Sequence, residues 1–321
     1  MKLLKPLLLA AAAAVALAPA LAQNFPSKPI TFVVPFAAGT ATDQIARALG
    51  TAVTAEAKQP VVIDNKAGAS GFIASQQVAK AAADGYTVLI TTNTTHAANE
   101  HLFKKLPYDP VKDFAPITGL GKGGQIMVVQ PDFPAKSVAE FVALAKKAPG
   151  KYSFGSGSSS SRMAGELLQQ MAGIQLLHVP YKSNTLAVTD LLGGQIHMMI
   201  TDTATGLPQV KAGKLRALGM SSAKRSPLVP EVPTIDEAGV KGYEMGFWFA
   251  AYAPAGTPPA VVQRLNELLA NAARAASAKA AFYEPTGTEV FTTTPDELAK
   301  FQAAESQKWG RIVKAAGIQP E

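Results

Sequence analysis

Residues 35–43 have the composition of a loop that could hold an anion without a charged side chain. The loop, Pro-Phe-Ala-Ala-Gly-Thr-Ala-Thr-Asp, follows an apolar run at residues 30–34 and leads into a helical pattern at residues 44–49. The first backbone N–H groups of a helix have no partner inside the helix, and the helix dipole adds about half a positive charge there. Such a loop can therefore bind a carboxylate or a phosphate. A purely structural turn is the alternative.

Two further loops could contribute to the same chemistry. Residues 155–161 are rich in Gly and Ser and lie between a predicted strand and a predicted helix, so they could bind a second polar group. A flexible linker is the alternative. Residues 91–96 end another predicted strand, where open α/β sheets bind their ligands, although helix capping would explain their Thr hydroxyls equally well. For Asp43 we expect a helix-orienting role, because a carboxylate would repel an anionic ligand.

The sequence lacks the residue spacing that catalytic, metal-binding and nucleotide-binding motifs require. No serine has glycine two residues away on both sides, as a nucleophile elbow requires, and the four histidines are dispersed. Residues 119–124 match G-x-G-x-x-G, but they precede a predicted strand rather than a helix. We interpret them as a flexible crossing between two lobes. The sequence therefore predicts no enzyme, no cofactor and no metal site.

The first 22 residues have the pattern of a secretory signal peptide. Lys2 and Lys5 precede an apolar stretch at residues 7–17, which is too short for a membrane anchor, and small residues precede a cut after Ala22. The chain has no cysteine for lipid attachment or disulfides. Removing the two lysines lowers the net charge from +7 to +5, without the basic cluster that nucleic-acid binding requires. We expect a monomeric periplasmic protein of a Gram-negative bacterium, with neither nucleic acid nor membrane anchor.

Apolar runs alternate with helical patterns along the chain, which is typical of an α/β fold with mostly parallel strands. We expect two lobes that hinge around a ligand. Residues 23–123 and 223–321 would form the first lobe, and residues 124–222 the second. Strands are predicted at residues 30–34, 61–63, 86–91, 126–129, 152–154, 176–179, 196–200, 215–220 and 247–252. Helices are predicted at residues 41–57, 71–82, 137–147, 161–171, 185–192, 205–211, 258–275 and 295–316.

Short segments in series along the mature chain carry a family resemblance. They include Pro35-Phe36, Asp84-Gly85-Tyr86-Thr87, Leu106-Pro107-Tyr108-Asp109-Pro110, Val179-Pro180-Tyr181-Lys182, Asp190-Leu191-Leu192-Gly193-Gly194-Gln195, Val232-Pro233-Thr234 and Trp309-Gly310. In this order they resemble the periplasmic solute-binding proteins of tripartite tricarboxylate transporters, the Bug family. The resemblance implies a two-lobed periplasmic-binding-protein fold, with two mostly parallel sheets flanked by helices. It also implies a carboxylate ligand, held by main-chain amides and water, and delivery to membrane transporter subunits.

Carried over residue by residue, the resemblance implies a ligand-binding set. Its members are Phe36, Ala38, Gly39, Thr40 and Asp43 in the first loop, Thr92, Asn93 and Thr94 after the third strand, Ser156, Gly157, Ser158, Tyr181, Lys182 and Asp202 in the second lobe, and Trp248 as a wall of the cleft.

Two positions depart from the family pattern. Thr40 stands in place of a glycine, and Ser183-Asn184 replaces a glycine and a small residue. Both face the presumed cleft, so the ligand class stays broad: a di- or tricarboxylate or an aromatic acid. A sensor that docks on a membrane signalling receptor is the alternative function, because it would use the same ligand-gated surface.

Overall fold

The computed structural model describes residues 25–315 and 317–320, so the predicted signal peptide lies outside the described residues. Strands and helices alternate as the sequence predicts. The strands are β1 (Ile30–Val34), β2 (Val61–Asn65), β3 (Thr87–Thr92), β4 (Phe114–Val129), β5 (Ser153–Ser156), β6 (Leu177–Pro180), β7 (Met198–Asp202), β8 (Arg216–Met220), β9 (Gly246–Pro254) and β10 (Glu289–Val290). The helices are α1 (Ala41–Ala57), α2 (Phe72–Ala79), α3 (Asn99–Leu102), α4 (Val138–Lys147), α5 (Ser159–Ala172), α6 (Asn184–Leu192), α7 (Thr203–Lys211), α8 (Pro259–Arg274) and α9 (Pro295–Ala315), with a π-helix at Thr94–Ala98 and short helical turns at residues 276–286.

Helix α1 forms where the sequence predicts it because its apolar residues recur at helical spacing. Ile45, Leu49 and Val53 lie on one face and are buried against the first sheet, while Lys58, with φ +57°, ends the helix. Strand β1 is buried on both faces, as its continuous apolar run predicts. The turn between them is therefore held at both ends by packed elements.

Strand β4 belongs to two sheets. The first sheet has the order β2-β1-β3-β9-β4-β10, and the second has the order β8-β4-β7-β5-β6. Strand β4 pairs with β9 as far as Gly124, opposite Gly246, and with β7 from Gln125, opposite Asp202. The two lobes thus share one continuous strand, which changes partners at a single peptide unit.

Ser221 holds the chain at that change of partners. Its backbone N–H donates to the carbonyl of Gln125, its hydroxyl accepts from the N–H of Gln125 at 2.6 Å, and its carbonyl accepts from the N–H of Met245. Three passages of the chain between the lobes are therefore joined through one serine.

The interpretation of residues 119–124 as a flexible crossing is wrong, because these residues lie within β4. Their glycines leave space for close neighbours. A Cβ atom at Gly119 would lie 2.6 Å from the carbonyl oxygen of Phe291, and one at Gly124 would lie 2.5 Å from Oγ of Ser222. The glycines serve close packing of the strand rather than mobility.

The α/β fold is confirmed, but both sheets are mixed rather than mostly parallel. Strands β1, β2 and β3 pair in parallel, as do β5, β6 and β7. The pairs that involve β4 and the β3–β9 pair are antiparallel. The parallel parts come from strands joined through helices, and the antiparallel parts come from strands next to the crossing between lobes.

Residues after β8 keep contact with the second lobe. Thr234 bridges to Met220, and the hydroxyl of Tyr243 donates to the carbonyl of Ala164 in α5 at 2.8 Å. The lobe boundary at residues 222 and 223 remains a prediction, and these contacts favour a later return to the first lobe, near Gly246. Within residues 25–315 and 317–320, no helix combines the length and apolar character needed to cross a bilayer.

Replacing Gly119 with Ala should lower the free energy of unfolding by about 1–3 kcal/mol, because the added methyl group must displace the backbone at Phe291. Chemical denaturation measures the effect. Gly193→Ala is the matched control, since its nearest new neighbour would lie 3.6 Å away. Equal stabilities of the two variants would contradict the packing role of Gly119.

Candidate functional site

Two adjoining cavities lie between the lobes. We call the smaller cavity, of about 40 Å³, the inner cavity and the larger one, of about 330 Å³, the outer cavity, and Phe36, Gly157 and Ser158 line both. The inner cavity is also lined by Thr40, Ala41, Thr42, Thr92, Asn93, Ser160, Asn184, Asp202, Phe247 and Phe249. The outer cavity is also lined by Gly68, Ser70, Gly71, Leu102, Phe103, Ser156, Ser159, Arg162, His178, Pro180, Tyr181 and Lys182.

The β1–α1 turn brings the N-terminus of α1 to the inner cavity. Ala41 and Thr42, in the first turn of the helix, line the cavity. Thr40 is the N-cap residue, but its hydroxyl donates to the carbonyl of Ala37 at 2.8 Å and makes no capping bond. The positive φ falls on Gly39, at +81°, whereas Thr40 has φ −73°. Threonine therefore fits the position that the family pattern gives to glycine.

Asp43 stabilises the β1–α1 turn from the side away from the two cavities. Its carboxylate accepts from the N–H of Gly39, from Arg47 and from Asn65, at 2.9–3.0 Å. Burial acts to raise the pKa of Asp43, but the hydrogen bonds from Arg47, Gly39 and Asn65 outweigh it and hold the pKa below its usual value. The ionised side chain lies outside the lining of both cavities, as the expected helix-orienting role requires.

Asn93 lines the inner cavity and carries buried polar atoms without a partner. The residue is fully buried, and neither its amide oxygen nor its amide nitrogen has a hydrogen-bond partner within the protein. The neighbouring Thr92 also lines the cavity, and its hydroxyl accepts from the N–H of Thr94 at 3.1 Å. A buried amide left without partners is unfavourable, and such groups in native proteins frequently have a functional reason.

A hydrogen-bond chain shapes the side of the inner cavity formed by the second lobe. The N–H of Gly157 donates to Oδ1 of Asn184, and Nδ2 of Asn184 donates to Asp202, both at 2.9 Å. Asp202 also caps α7 through the N–H and hydroxyl of Thr205. Position 157 requires glycine, because a Cβ atom there would lie 1.8 Å from the carbonyl carbon of Ser183. Asn184, a departure from the family pattern, is thus part of the site's framework.

Aromatic side chains from β9 close the inner cavity, but Trp248 is not among them. Phe247 and Phe249 line the cavity, whereas Trp248 lies on the opposite face of the strand, beside Phe301 of α9. Its indole N–H donates to Glu305 at 3.2 Å. Successive side chains of a strand alternate between faces, so the Trp248 ring points away from the face of β9 that carries the Phe249 ring.

The structure brings most, but not all, of the predicted ligand-binding residues to the lining of the two cavities. The members that line a cavity are Phe36, Thr40, Thr92, Asn93, Ser156, Gly157, Ser158, Tyr181, Lys182 and Asp202. The members placed outside both linings are Ala38, Gly39, Asp43, Thr94 and Trp248. Sequence reasoning missed Phe247 and Phe249, which strand alternation around Trp248 could have suggested. It also missed the basic residue Arg162 as part of the outer cavity.

A hydrogen bond joins the lobes beside the outer cavity. The hydroxyl of Ser159, in the first turn of α5, donates to Oδ1 of Asn99 in α3 at 3.0 Å. Asn99 in turn donates to the carbonyl of Ser70, which lies in the turn before α2.

Among residues 25–315 and 317–320 there is no group of three or more His, Asp and Glu side chains that could hold a metal ion. The site therefore offers N–H, amide, hydroxyl and cationic groups for binding.

His96 supports the π-helix that follows Asn93. Its ring is fully buried and stacks on Tyr252 with centroids 3.9 Å apart, and Nδ1 is hydrogen-bonded to the hydroxyl of Thr95 at 2.8 Å. Burial lowers the pKa of His96 from 6.5 to about 3, so the folded protein keeps the ring neutral. The ring thus contributes aromatic packing behind the inner cavity and no charge.

This two-lobed α/β architecture, with a ligand-sized cleft between the lobes, defines a periplasmic-binding-protein fold. Residues 45–318 match the family model described as tripartite tricarboxylate transporter family receptor. The chain belongs to this family of solute-binding receptors.

Relatives of known sequence and structure support this assignment to the family. The chain is 35% identical to protein BugT of Bordetella pertussis over 94% of this chain and 93% of BugT. A protein of R. palustris solved with adipate superposes with a TM-score of 0.90 at 35% identity, covering 92% of this chain and all of that one. MatC of Rhodopseudomonas palustris, solved with bound malate, gives a TM-score of 0.85 at 31% identity, covering 90% of this chain and all of MatC.

Stability should depend on pH through His96. The unfolded chain takes up a proton near pH 6.5 and the folded protein only near pH 3, so the stability due to neutral His96 is complete above pH 6.5 and falls between these values. The loss is about 1.4 kcal/mol per pH unit. His96→Phe keeps an aromatic ring for the stack and removes the titration. Between pH 6.5 and 5, urea denaturation should show a loss about 2 kcal/mol larger in the parent protein. Parallel pH profiles would contradict this assignment.

Proposed function

We propose that this protein captures a small carboxylate between its lobes and delivers it to a tripartite tricarboxylate-type membrane transporter. One observation carries the proposal. The first turn of α1, which has no side-chain cap, lines the inner cavity together with Asn93, whose buried amide has no partner within the protein. Both provide N–H donors, and the helix dipole adds positive potential there, so this cavity suits an anion.

The size of the inner cavity suits one carboxylate group. A volume of about 40 Å³ exceeds the roughly 10–15 Å³ that one water molecule needs, so there is space for a group of a few heavy atoms such as a carboxylate. Among the described residues that line it, none is Lys or Arg, and the carboxylate of Asp202 accepts hydrogen bonds from Asn184 and Thr205. Recognition would therefore come from backbone N–H groups, the Asn93 amide and hydroxyls, as in anion sites at helix N-termini.

Aromatic rings would contact the apolar part of the ligand. Phe36, Phe247 and Phe249 line the inner cavity, and Phe36 continues into the outer one. A carboxylate head with an apolar body fits this combination, so the expected ligands are dicarboxylates, tricarboxylates or aromatic acids. Adipate and malate, found in the two R. palustris proteins, are both dicarboxylates, which supports this class.

A periplasmic location and transporter partners are parts of the same proposal. Residues 1–22 have the pattern of an export signal, and the family is one of transporter receptors. One similar solved structure, at 33% identity, is the periplasmic binding protein BugD. We propose that the mature chain works in the periplasm and that closure over the ligand creates the surface that a transporter subunit recognises.

The first test is a thermal-shift screen of the mature protein against mono-, di- and tricarboxylates, including aromatic acids. A ligand that binds only the folded state stabilises it by about 2.7 kcal/mol at a hundredfold excess over Kd. The protein is unfolded and refolded first, which removes any ligand retained from the expression host. No shift with any acid would contradict the proposal.

Replacing Asn93 with Leu should abolish the rise in melting temperature caused by the ligand without destabilising the fold. The substitution removes a buried amide that has no partner in the protein, so the free variant should be at least as stable as the parent. Asn266→Leu is the control, for which we expect the opposite outcome. Its side chain donates to the carbonyls of Ile117 and Thr293, so this variant should lose stability and keep ligand binding. A full ligand shift in Asn93→Leu would exclude the inner cavity as the carboxylate site.

Delivery can be tested by crosslinking in cells with and without the ligand found in the screen. We expect ligand-dependent capture of a transporter subunit. Capture of a membrane signalling receptor instead would favour the sensor alternative, because both functions use the ligand-bound form.

A further inference from the structure

We propose that the hydrogen bond between Ser159 and Asn99 is a latch that keeps part of the ligand-free protein closed, with its two lobes in contact beside the outer cavity. This inference deepens the proposed function, because a larger closed population in the free protein raises the apparent affinity for a ligand that the closed form holds. Its main test uses no ligand, so the outcome does not depend on which acid the protein binds.

Hydrogen bonds within the first lobe fix the side chain of Asn99. The residue is fully buried, and its Nδ2 donates to the carbonyl of Ser70 at 2.9 Å. Nδ2 also donates to the hydroxyl of Tyr108 at 3.3 Å, and this hydroxyl donates to the carbonyl of Thr95 at 2.8 Å. A carbonyl oxygen can only accept, so the amide nitrogen of Asn99 must face Ser70. The amide oxygen, Oδ1, is thereby left to accept from Ser159.

The π-helix at Thr94–Ala98 sets the direction of Asn99. The N–H of Asn99 donates to the carbonyl of Thr94, five residues earlier, whereas an α-helix closes over four residues. One extra residue turns the following side chain by about 100° relative to a continuous α-helix. In this turned position Asn99 reaches α5, against which the π-helix packs. Such helical turns are rare and occur frequently at functional sites.

Ser159 is held just as firmly in the second lobe. It is the first residue of α5, whose N-cap residue Ser158 accepts from the N–H of Ser161 at 3.2 Å. The hydroxyl of Ser161 donates to the carbonyl of Ile200, which ties the start of the helix to β7. Ser159 itself is buried, and its hydroxyl donates to Oδ1 of Asn99 at 3.0 Å. The latch therefore joins two groups that are already in place, which lowers the entropic cost of forming it.

A motion that opens the cleft must break the latch. Asn99 follows β3 of the first sheet and Ser159 follows β5 of the second, and the two sheets are joined through β4. Rotation of one sheet away from the other at β4 separates the two side chains. Water then takes the place of each partner, so closing gains the net free energy of one neutral hydrogen bond.

Burial distinguishes the latch from a second hydrogen bond between α5 and the first lobe. Nε2 of Gln170, in the last turn of α5, donates at 2.6 Å to the carbonyl of Ala315 at the end of α9, which packs against the π-helix. This pair is exposed to solvent. Because water competes with an exposed hydrogen bond, the buried latch should contribute more to the closed population.

The test measures the distance between the lobes in the ligand-free protein. The chain has no cysteine, so Ala55→Cys on α1 and Thr189→Cys on α6, both at exposed positions, provide two specific sites for spin labels. Double electron–electron resonance then gives the populations of the short and long distances, after unfolding and refolding have removed any retained ligand. We expect both distances in the parent protein. Ser159→Ala should lower the ratio of closed to open protein by about threefold to tenfold, because Oδ1 of Asn99 loses its donor.

Ser137→Ala is the matched control. Ser137 caps α4 by accepting from the N–H of Glu140 at 3.2 Å and lies outside the lining of both cavities, so this variant should lose stability and keep the distance distribution of the parent. Ser159 lines the outer cavity, but a side chain that only touches a ligand would leave the ligand-free distribution unchanged.

An unchanged distribution in Ser159→Ala, or the long distance alone in the parent, would overturn the latch and leave the proposed function standing. The proposed function fails on a different result, namely that no acid stabilises the parent protein in the thermal-shift screen.

Discussion

The backbone hydrogen bonds of β4 connect the two lobes, because this strand pairs with strands of both. This strand pairs with β9 up to Gly124 and with β7 from Gln125, so the sheets of the two lobes share one continuous strand. Ser221 joins β4 to the chain passing from β8 towards β9 at the same point. Because both lobes are anchored on one strand, the loops at the strand ends meet across a cleft of defined shape.

The cleft combines groups that are satisfied within the protein with groups that are not. Asp43, Asn184 and Asp202 are charged or polar, yet each is fully engaged in holding a turn or a helix N-terminus. Asn93 is buried without a partner, and the first turn of α1 has no side-chain cap. The satisfied groups fix the geometry, while the Asn93 amide and the first turn of α1 keep polar groups without a side-chain partner, and fixed geometry of this kind lowers the cost of binding.

Much of the fold could be predicted from the sequence because local patterns determine it. Helix α1 and strand β1 follow from apolar periodicity, and the predicted bounds agree with the structure. Residues 119–124 were misinterpreted because glycine is unfavourable in strands, and the reason for it, close contact with Phe291, involves a residue far along the chain. Local signals carry no information about such a neighbour.

The site was harder to predict for a similar reason. All residues of the run 247–252 are apolar or aromatic, so no polar alternation showed which face of β9 meets the cleft, and Trp248 was assigned to the wrong face. The link from Gly157 through Asn184 to Asp202 joins three separate segments. The loops named by the family resemblance do lie around the two cavities, but only the folded chain shows which of their atoms are without partners.

The change of partners within β4 also has a mechanical consequence. A strand that stays hydrogen-bonded on both sides of one peptide unit cannot slacken as a loop does, so the lobes can move only by twisting or bending there. The pivot of such a motion would be the change of partners between Gly124 and Gln125, which lie opposite Gly246 and Asp202. A small rotation at the pivot is amplified by the lever arm of each lobe, so the rim near Lys182 travels much further than the inner cavity. Such a rotation would widen the outer cavity while the turn before α1 stays almost stationary.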